Sequence, residues 1–244
     1  MDKRKALGII DEWANFYLRL LGEADNLELI EKDVYTILRP KDDSWASIFN
    51  IRLEHLETND VLKIVSEIKE MKRHVWWNLS YSDRVNNIIF PEGRPEPTLD
   101  DDEVYAVMTP DEVPQYQDGI IYTKKVESID DFKIFHNICF DKTLSSEDLI
   151  KLYMKDMIRC YIGYTYEKPI SVTMVLKNKN IYSLEMTSTM PKYRRKGFAT
   201  FVCQTAIMES FKEGAEVITI RAGGGPAADD GSKSLGEKLG FKYI

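Results

Sequence analysis

The stretch from Tyr182 to Phe211 constrains the fold more than any other part of this 244-residue chain. It opens with the segment Tyr182–Thr187, YSLEMT, in which large apolar and smaller polar residues alternate. This alternation is typical of a strand with one buried face. Pro191 lacks a backbone N–H and ends the strand. The basic turn Arg194–Ala199 follows, and apolar residues then recur at helical spacing. The sequence therefore predicts a strand, a basic glycine turn and a helix in direct succession.

This succession has the chemistry of a phosphate-binding turn. The first backbone N–H groups of a helix have no intrahelical partner, and the helix macrodipole makes that end positive. Gly197 and Ala199 are small, so a phosphate can approach the backbone closely, while Arg194, Arg195 and Lys196 add positive charge. The spacing fits neither a Walker A loop nor a G-x-G-x-x-G loop, and a basic surface turn before a core helix remains the alternative.

Composition and charge narrow the class of protein. The formal net charge is −7, which argues against a nucleic-acid partner and favours a small polyanion at the local basic cluster. No apolar run approaches the ~20 residues that span a bilayer, and the N-terminus begins an amphipathic helix rather than a signal sequence. The 3 cysteines are an odd number and widely spaced, which argues against a disulfide framework or a metal site. We expect a cytoplasmic protein with no membrane partner and no metal.

The first half of the chain shows helix and strand patterns that end in a proline-rich and acidic break. Its predicted elements are a helix from about Lys5 to Gly22, strands at Asp33–Arg39, Trp45–Leu53 and Val75–Leu79, a helix at Asp60–Arg73 and a short helix from Ser80 or Ser82. The break covers Pro91–Pro97 and Asp100–Glu103, and a strand at Val104–Met108 follows.

The second half reads as a regular alternation of strands and helices. A strand at Gly119–Val126 precedes helices capped by Ser128 and by Ser145 or Ser146. The remaining elements are a hairpin of Arg159–Tyr166 and Ile170–Leu176, the strand and helix described above, a strand at Val217–Arg221, a flexible loop at Gly223–Pro226, a helix from Ser232 or Ser234 and a last strand at Phe241–Ile244.

Two motifs resemble those of the GNAT superfamily of N-acetyltransferases. Arg194-x-x-Gly197-x-Ala199 fits the Q/R-x-x-G-x-G/A signature of that family, and the preceding residues from Pro191 resemble its P-x-Y-R-x-K-G wording. Leu235–Phe241, LGEKLGF, is similar to the family's L-Y-E-K-L-G-F segment. The two motifs occur in the family's order, and the resemblance is specific from about Gly119 to Ile244.

The resemblance implies an α/β (α+β) chain with the GNAT fold, a mixed central sheet flanked by helices. The element order of the first half resembles the degenerate N-terminal half of tandem GNAT proteins, so two GNAT-like repeats are expected. We place them at residues 1–115 and 116–244. The first half has no recognisable R-x-x-G-x-G/A motif, so we expect the second half to hold the cofactor.

The resemblance also implies an acetyl-CoA-dependent N-acetyltransferase. Acetyl-CoA would be the co-substrate, and its acetyl group would pass to a primary amine by direct attack in a ternary complex. Family members hold the pyrophosphate on the backbone of the glycine turn and pair the pantetheine arm with the central strand. The cofactor-binding residues implied here are Thr187, Ser188, Thr189, Arg194, Arg195, Lys196, Gly197, Phe198, Ala199 and Thr200. The acceptor and the oligomeric state stay open, with a homodimer as one option.

The catalytic residues are less completely implied. Glu185 on the central strand is the candidate general base, and a solvated carboxylate or proton transfer through water is the alternative. The family often has a tyrosine general acid at the position occupied here by Gly236, while Tyr182 and Tyr243 are other tyrosines of this half. Two readings follow: transfer without that tyrosine, or a catalytically inactive acyl-CoA-binding or scaffold protein of GNAT fold. A partner-binding domain without coenzyme ranks last.

Overall fold

The computed structural model describes residues 3–33, 35–42, 45–49, 63, 66, 74–77, 104–114, 121–222 and 231–243. The helix expected at Asp60–Arg73 lies outside these residues except at two positions. The short helix at Ser80 or Ser82, the break before Val104 and the Gly223–Pro226 loop lie outside them altogether. The chain divides into two compact units, Met1–Thr98 and Leu99–Ile244.

The first unit combines an amphipathic helix with a four-stranded sheet. Its elements are α1 (Lys3–Leu21), β1 (Leu27–Glu31), β2 (Thr36–Pro40), β3 (Trp45–Phe49) and β4 (His74–Trp77). The strand order is β1-β2-β3-β4, antiparallel except for the parallel pair β3–β4. The apolar stripe predicted for α1 is buried at Ile10, Trp13 and Tyr17. The sequence analysis missed β1, LELIE, because its polar side chains weaken the apolar pattern.

The second unit follows the predicted order of elements. Two 3-10 turns, Pro110–Glu112 and Pro191–Tyr193, connect its elements. The helices and strands of this unit are β5 (Val104–Met108), β6 (Tyr122–Lys125), α2 (Ile129–Ile138), α3 (Ser146–Met154), β7 (Ile158–Thr165), β8 (Lys168–Asn178), β9 (Ile181–Thr189), α4 (Phe198–Lys212), β10 (Val217–Ala222), α5 (Gly231–Leu239) and β11 (Lys242–Tyr243).

These strands form a seven-stranded mixed sheet in the order β11-β5-β10-β9-β8-β7-β6. The pair β9–β10 is parallel, and the other neighbours are antiparallel. Strand β5 lies between β10 and β11, so its hydrogen bonds belong to this second sheet. The sequence analysis had placed β5 in the first domain, before a division at residue 115. The pairing of β5 instead agrees with a division after Thr98.

Capping side chains begin the two helices that precede the central hairpin. Ser128 Oγ accepts a hydrogen bond from the backbone N–H of Asp131 at 3.2 Å, as expected for α2. Ser145 begins α3, and its side chain and that of Asp148 satisfy each other's backbone N–H groups in a capping box. Both starts agree with the sequence prediction.

Helix α4 approaches the sheet closely at a glycine. A Cβ atom at Gly163 of β7 would lie 2.4 Å from Cγ2 of Val202, so no larger residue fits without a shift of the helix. Val202, Ala206 and Ile207 of α4 are fully buried against the sheet. This contact fixes the height of α4, and therefore of its N-terminus, above the strands.

Candidate active site

The parallel strands β9 and β10 separate at the middle of the sheet. Their register runs from Ile181 opposite Val217 to Leu184 opposite Ile220. Beyond this point β9 continues to Thr189 while β10 ends at Ala222. The backbone edge of β9 beyond Leu184 therefore leaves the ladder with β10 and borders an opening between the two strands.

A β-bulge marks the place where this opening begins. The register of β8 with β9 shifts between Val172 and Met174, and Met186 has a left-handed backbone with φ 49°. An extra residue in one strand bends that strand away from its neighbour. A residue other than glycine adopts a positive φ at an energetic cost, which the surrounding structure must offset. The bulge thus turns the end of β9 away from β10.

The basic turn joins this strand to the N-terminus of α4. Arg195 and Gly197 both have positive φ, 61° and 80°, and Gly197 is the N-cap residue of α4. Glycine has no side chain with which to cap the helix. The backbone N–H groups in the first turn of α4 are therefore left to a ligand or to solvent. A backbone that places left-handed residues in such a turn makes a concave site for an anion. The structure thus places the basic turn, as predicted, directly before the N-terminus of α4.

The opening and the turn border a single cavity of about 650 Å³. This volume lies within the usual range of ligand pockets, about 300–1,000 Å³. Its lining combines the end of β9, the basic turn, the first turn of α4, the end of β10, one face of α5 and the start of the α2–α3 loop. The lining residues are Phe140, Asp141, Leu184, Glu185, Met186, Thr187, Ser188, Thr189, Tyr193, Arg194, Arg195, Gly197, Phe198, Ala199, Thr200, Ile220, Arg221, Gly231, Ser232, Ser234, Leu235 and Lys238.

The hydroxyls of the three residues implied for cofactor binding at the end of β9 are already engaged within the protein. Thr187 Oγ1 lies 2.7 Å from Thr173 Oγ1, and Thr189 Oγ1 lies 2.8 Å from Ser171 Oγ. Ser188 Oγ accepts a hydrogen bond from the backbone N–H of Phe140 at 3.1 Å. This last contact ties the α2–α3 loop to the strand. Any cofactor contact along this stretch would therefore use the backbone edge more than the hydroxyls.

The three basic residues predicted for the turn have different surroundings. Arg194 Nε donates to the carbonyl oxygen of Thr189 at 3.2 Å, and its guanidinium lies 4.8 Å from the ring centroid of Phe140. Arg195 lines the cavity with Arg194. Lys196 is exposed, and its Nζ lies 5.8 Å from the ring centroid of Tyr193. The structure thus places two of the three cations at the cavity and the third beside Tyr193.

Glu185 is a buried carboxylate in the cavity wall. Its exposed fraction is 6%, and Ser183 Oγ donates to its Oε1 at 2.6 Å. Its Oε2 lies 3.9 Å from a terminal nitrogen of Arg221 on β10. The sequence analysis identified Glu185 and missed Arg221. The sequence does show that Arg221 ends a predicted strand. Placing it beside Glu185, however, requires knowing that β9 and β10 are parallel neighbours.

The arrangement of elements matches solved acetyltransferase structures over nearly the whole chain. A GCN5-related N-acetyltransferase from Kribbella flavida matches with a TM-score of 0.59 at 14% identity, covering 95% of this chain and 91% of its own. A GCN5-related N-acetyltransferase-like protein from Streptococcus suis gives a TM-score of 0.51 at 14% identity over 99% and 94%. A conserved protein of unknown function from Staphylococcus epidermidis gives 0.52 at 12% identity over 90% and 91%.

The chain has the GNAT fold. Its mixed central sheet with flanking helices is the architecture expected from the motif resemblance. No protein-family model matches the sequence, and no curated protein matches it closely enough to count as a relative. At these identities the structural likeness shows the fold, so function has to be argued from the site itself.

The tyrosine expected from the GNAT resemblance is absent from its position. Gly236 is buried in α5, and its carbonyl oxygen accepts a hydrogen bond from the N–H of Phe241 at 3.0 Å. Tyr182 is packed in the hydrophobic core, and the side chain of Tyr243 lies outside the described part of the chain. Tyr193, which the sequence analysis did not consider as a general acid, does line the cavity.

Cys203 of this GNAT fold is a core residue. Burial raises the pKa of its thiol to about 11, although hydrogen bonds with Thr187 and Thr173 act in the opposite direction. The thiol is therefore protonated at neutral pH and is a poor nucleophile. Among the residues that the structure describes, no cluster of His, Cys, Asp or Glu could hold a metal ion. Within that same part of the chain, no helix is both long and apolar enough to cross a membrane.

Proposed function

We propose that the second unit binds acetyl-CoA in this cavity and transfers the acetyl group to a primary amine. One observation carries the proposal: the uncapped N-terminus of α4 at Gly197 and the open backbone edge of β9 border the same cavity. The first feature suits a pyrophosphate and the second suits an extended arm with amide groups. CoA contains both chemical groups, joined in series.

The cofactor contacts that we infer divide along the cavity. Backbone N–H groups from Arg195 to Thr200, including those of Lys196, Gly197, Phe198 and Ala199, would hold the pyrophosphate. Arg194 and Arg195 would add charge at the same end. The backbone of Thr187–Thr189 would pair with the pantetheine amides in the manner of an added strand. This order would bring the thioester to the bulge at Met186, beside Glu185.

The inferred chemistry is direct attack of the amine on the thioester carbonyl. Holding both reactants in one cavity replaces a bimolecular encounter and contributes much of the rate. Glu185 would accept a proton from the acceptor's ammonium, either directly or through water, and the neutral amine would then attack. Because Gly236 supplies no hydroxyl, we infer that the thiolate leaves without a tyrosine at that position. The inactive acyl-CoA-binding alternative predicts cofactor binding without turnover, so a transfer assay separates it from the proposal.

We also propose that the first unit is a degenerate GNAT-like repeat. In it three antiparallel strands, β1 to β3, are followed by β4 parallel to β3. The second unit repeats this pattern in β7 to β9 and the parallel strand β10. A helix precedes the first strand of each series, α1 in one and α3 in the other. The cofactor is assigned to the second repeat alone.

The proposal is tested first by the thermal midpoint with and without acetyl-CoA. A ligand at 100 times its dissociation constant stabilises the native state by about 2.7 kcal/mol, which moves the midpoint of a protein of this size by several degrees. We expect this increase in the wild type and its loss in Ala199→Glu. The new carboxylate would stand where the pyrophosphate is expected, while glutamate in the first turn of a helix favours folding.

Gln204→Glu provides the matched control, since it adds the same charge farther along α4. We expect its midpoint to respond to acetyl-CoA as the wild type does. A substitution at Gly197 is less suitable, because its φ of 80° would strain any other residue. No increase for a folded wild type free of copurified ligand would reject the cofactor site and, with it, the transferase proposal.

A further inference from the structure

An ion pair stands at the point where β9 and β10 separate. The two strands are in register up to Leu184 and Ile220, and Glu185 and Arg221 are the next residue on each. The carboxylate and the guanidinium therefore belong to opposite walls of the opening, with Oε2 and the arginine nitrogen 3.9 Å apart. Both residues line the cavity. A ligand at the bulge would meet a negative and a positive group side by side.

Glu185 and Arg221 can each make further hydrogen bonds beside those they already have. A carboxylate has about four acceptor positions, so Glu185 can accept from a ligand while it keeps the bond from Ser183. A guanidinium has five N–H donors, so Arg221 can hold a second carboxylate while it keeps its present contacts. About a third of the Arg221 side chain is exposed, against 6% for Glu185. The guanidinium is thus the more accessible group of the pair.

The net charge of the cavity restricts the ligand that fits beside this pair. Arg194 and Arg195 belong to the phosphate-binding turn. Among the residues that the structure describes, the other charged residues of the lining are Glu185 and Asp141, which are negative, and Arg221 and Lys238, which are positive. A polyamine would add positive charge that these groups do not offset, and a dicarboxylate would add the reverse. A ligand with one charge of each sign matches this balance.

We propose that the acceptor is a small zwitterionic amine, an α-amino acid or a compound with the same neighbouring ammonium and carboxylate. Its ammonium contacts Glu185 and its carboxylate contacts Arg221. This assignment rests on the acetyl transfer proposed above and names the acceptor class for that site. Arg221 is then the residue that distinguishes a free amino acid from a peptide N-terminus or a simple amine, both of which lack the adjacent carboxylate.

The transfer step balances with these groups. The acceptor's ammonium gives one proton to Glu185, and the nitrogen lone pair then attacks the thioester carbonyl carbon. The C–N bond forms, the C–S bond breaks, and the thiolate leaves with the electron pair. A second proton leaves the nitrogen as the amide forms. One of the two protons ends on the CoA thiol and the other in solvent. The acceptor's carboxylate stays bound to Arg221 and is unchanged.

The test measures binding to the full chain loaded with CoA, which carries no acetyl group and cannot react. Isothermal titration calorimetry is run with the proteinogenic L-amino acids and with the C-terminal amide of each. An amide keeps the ammonium and the side chain but removes the negative charge. We expect at least one amino acid to bind about tenfold or more tightly than its own amide, because a site built for a charged group rejects the analogue lacking it.

Arg221→Gln should weaken binding of that amino acid to the level of its amide and leave the amide unchanged. Because this variant removes the partner of a buried carboxylate, Arg221→Lys and the double variant Glu185→Gln/Arg221→Gln accompany it. Lysine should keep part of the preference, and the double variant should abolish it. Lys212→Gln, which removes an exposed cation of α4 outside the cavity lining, should keep the wild-type preference.

Three results would overturn the assignment. One is equal binding of an amino acid and its amide, and another is an equal loss of both in Arg221→Gln. The third is no binding by any amino acid to a folded, CoA-loaded protein. In that third case CoA binding itself is intact, so the zwitterionic acceptor fails while the cofactor site stands. A protein that does not bind CoA fails the proposed function and this inference together.

Discussion

At the scale of single residues, Glu185 combines burial with access to the cavity. Its carboxylate is 6% exposed and held by Ser183, yet it lies beside the bulge at Met186. The variant Glu185→Gln keeps the size of the side chain and removes its capacity to accept a proton. General-base catalysis contributes about 10²–10⁴-fold in rate. We therefore expect kcat/KM for an accepted amine to fall by about 10²-fold or more, measured as release of the CoA thiol.

Binding of acetyl-CoA separates this role from a structural one. The thermal response of Glu185→Gln to acetyl-CoA should equal that of the wild type, because no cofactor contact is assigned to the Glu185 carboxylate. Glu216→Gln, at an exposed position outside the cavity lining, should leave both the rate and the thermal response unchanged. Unchanged turnover in Glu185→Gln would rule out Glu185 as the base and favour proton transfer through water.

At the scale of elements, a charged cluster joins the end of α4 to three strands. Glu213 accepts a hydrogen bond from Lys125 of β6 at 2.6 Å and lies 3.4 Å from Arg159 of β7 and 3.7 Å from Lys177 of β8. Burial raises the pKa of Glu213, but the bond to Lys125 and the three positive charges outweigh it and leave the pKa lowered. The cluster thereby links the helix to the sheet at the end opposite the basic turn.

This lowered pKa sets the sign of a pH dependence. A carboxylate whose folded pKa is lowered contributes stability above its unfolded pKa, about 4.3, and loses it as pH falls through the folded value. Glu213→Gln should therefore lower the free energy of unfolding by up to about 1 kcal/mol at pH 7. The difference from wild type should shrink below about pH 4. Urea denaturation at pH 7, 5 and 3 measures it, and a difference independent of pH would contradict the electrostatic cause.

Local chemistry explains which elements the sequence predicted well. Ser128 and Ser145 begin their helices because each hydroxyl is three residues from the N–H that it satisfies, a distance readable from sequence. The basic turn was predicted equally well, because its residues are consecutive in the chain. The Glu185–Arg221 pair lies 36 positions apart in sequence, and it depends on the parallel register of β9 with β10. The bulge at Met186 likewise depends on how β8 pairs with β9.

At the scale of the whole molecule, the seven-stranded sheet that borders the cavity includes a strand from before the rest of the second unit in the chain. Strand β5 precedes every other element of the second unit, yet it lies between β10 and β11. Its chain direction follows from antiparallel pairing with both neighbours. The division expected at residue 115 lies after β5 and not at the proline-rich and acidic break of residues 91–103, whereas β5 pairs with β10 and β11. No pattern within five residues indicates which of two sheets will pair with a strand.

A substitution at Ala106 tests whether β5 belongs to the second unit. Ala106 is fully buried in β5, stands opposite Ile220 in register, and belongs to the same core cluster as Leu184 and Phe241. Ala106→Asp would bury a charge within that core and cost about 3 kcal/mol or more. At about 2–4 °C per kcal/mol, the transition that acetyl-CoA raises should fall by about 6 °C or more. Val107→Asp, one position along on the half-buried face, should cost less. If β5 belonged to the first domain, Ala106→Asp would leave the acetyl-CoA-responsive transition at its wild-type midpoint, so scanning calorimetry with and without the ligand decides to which unit the strand contributes.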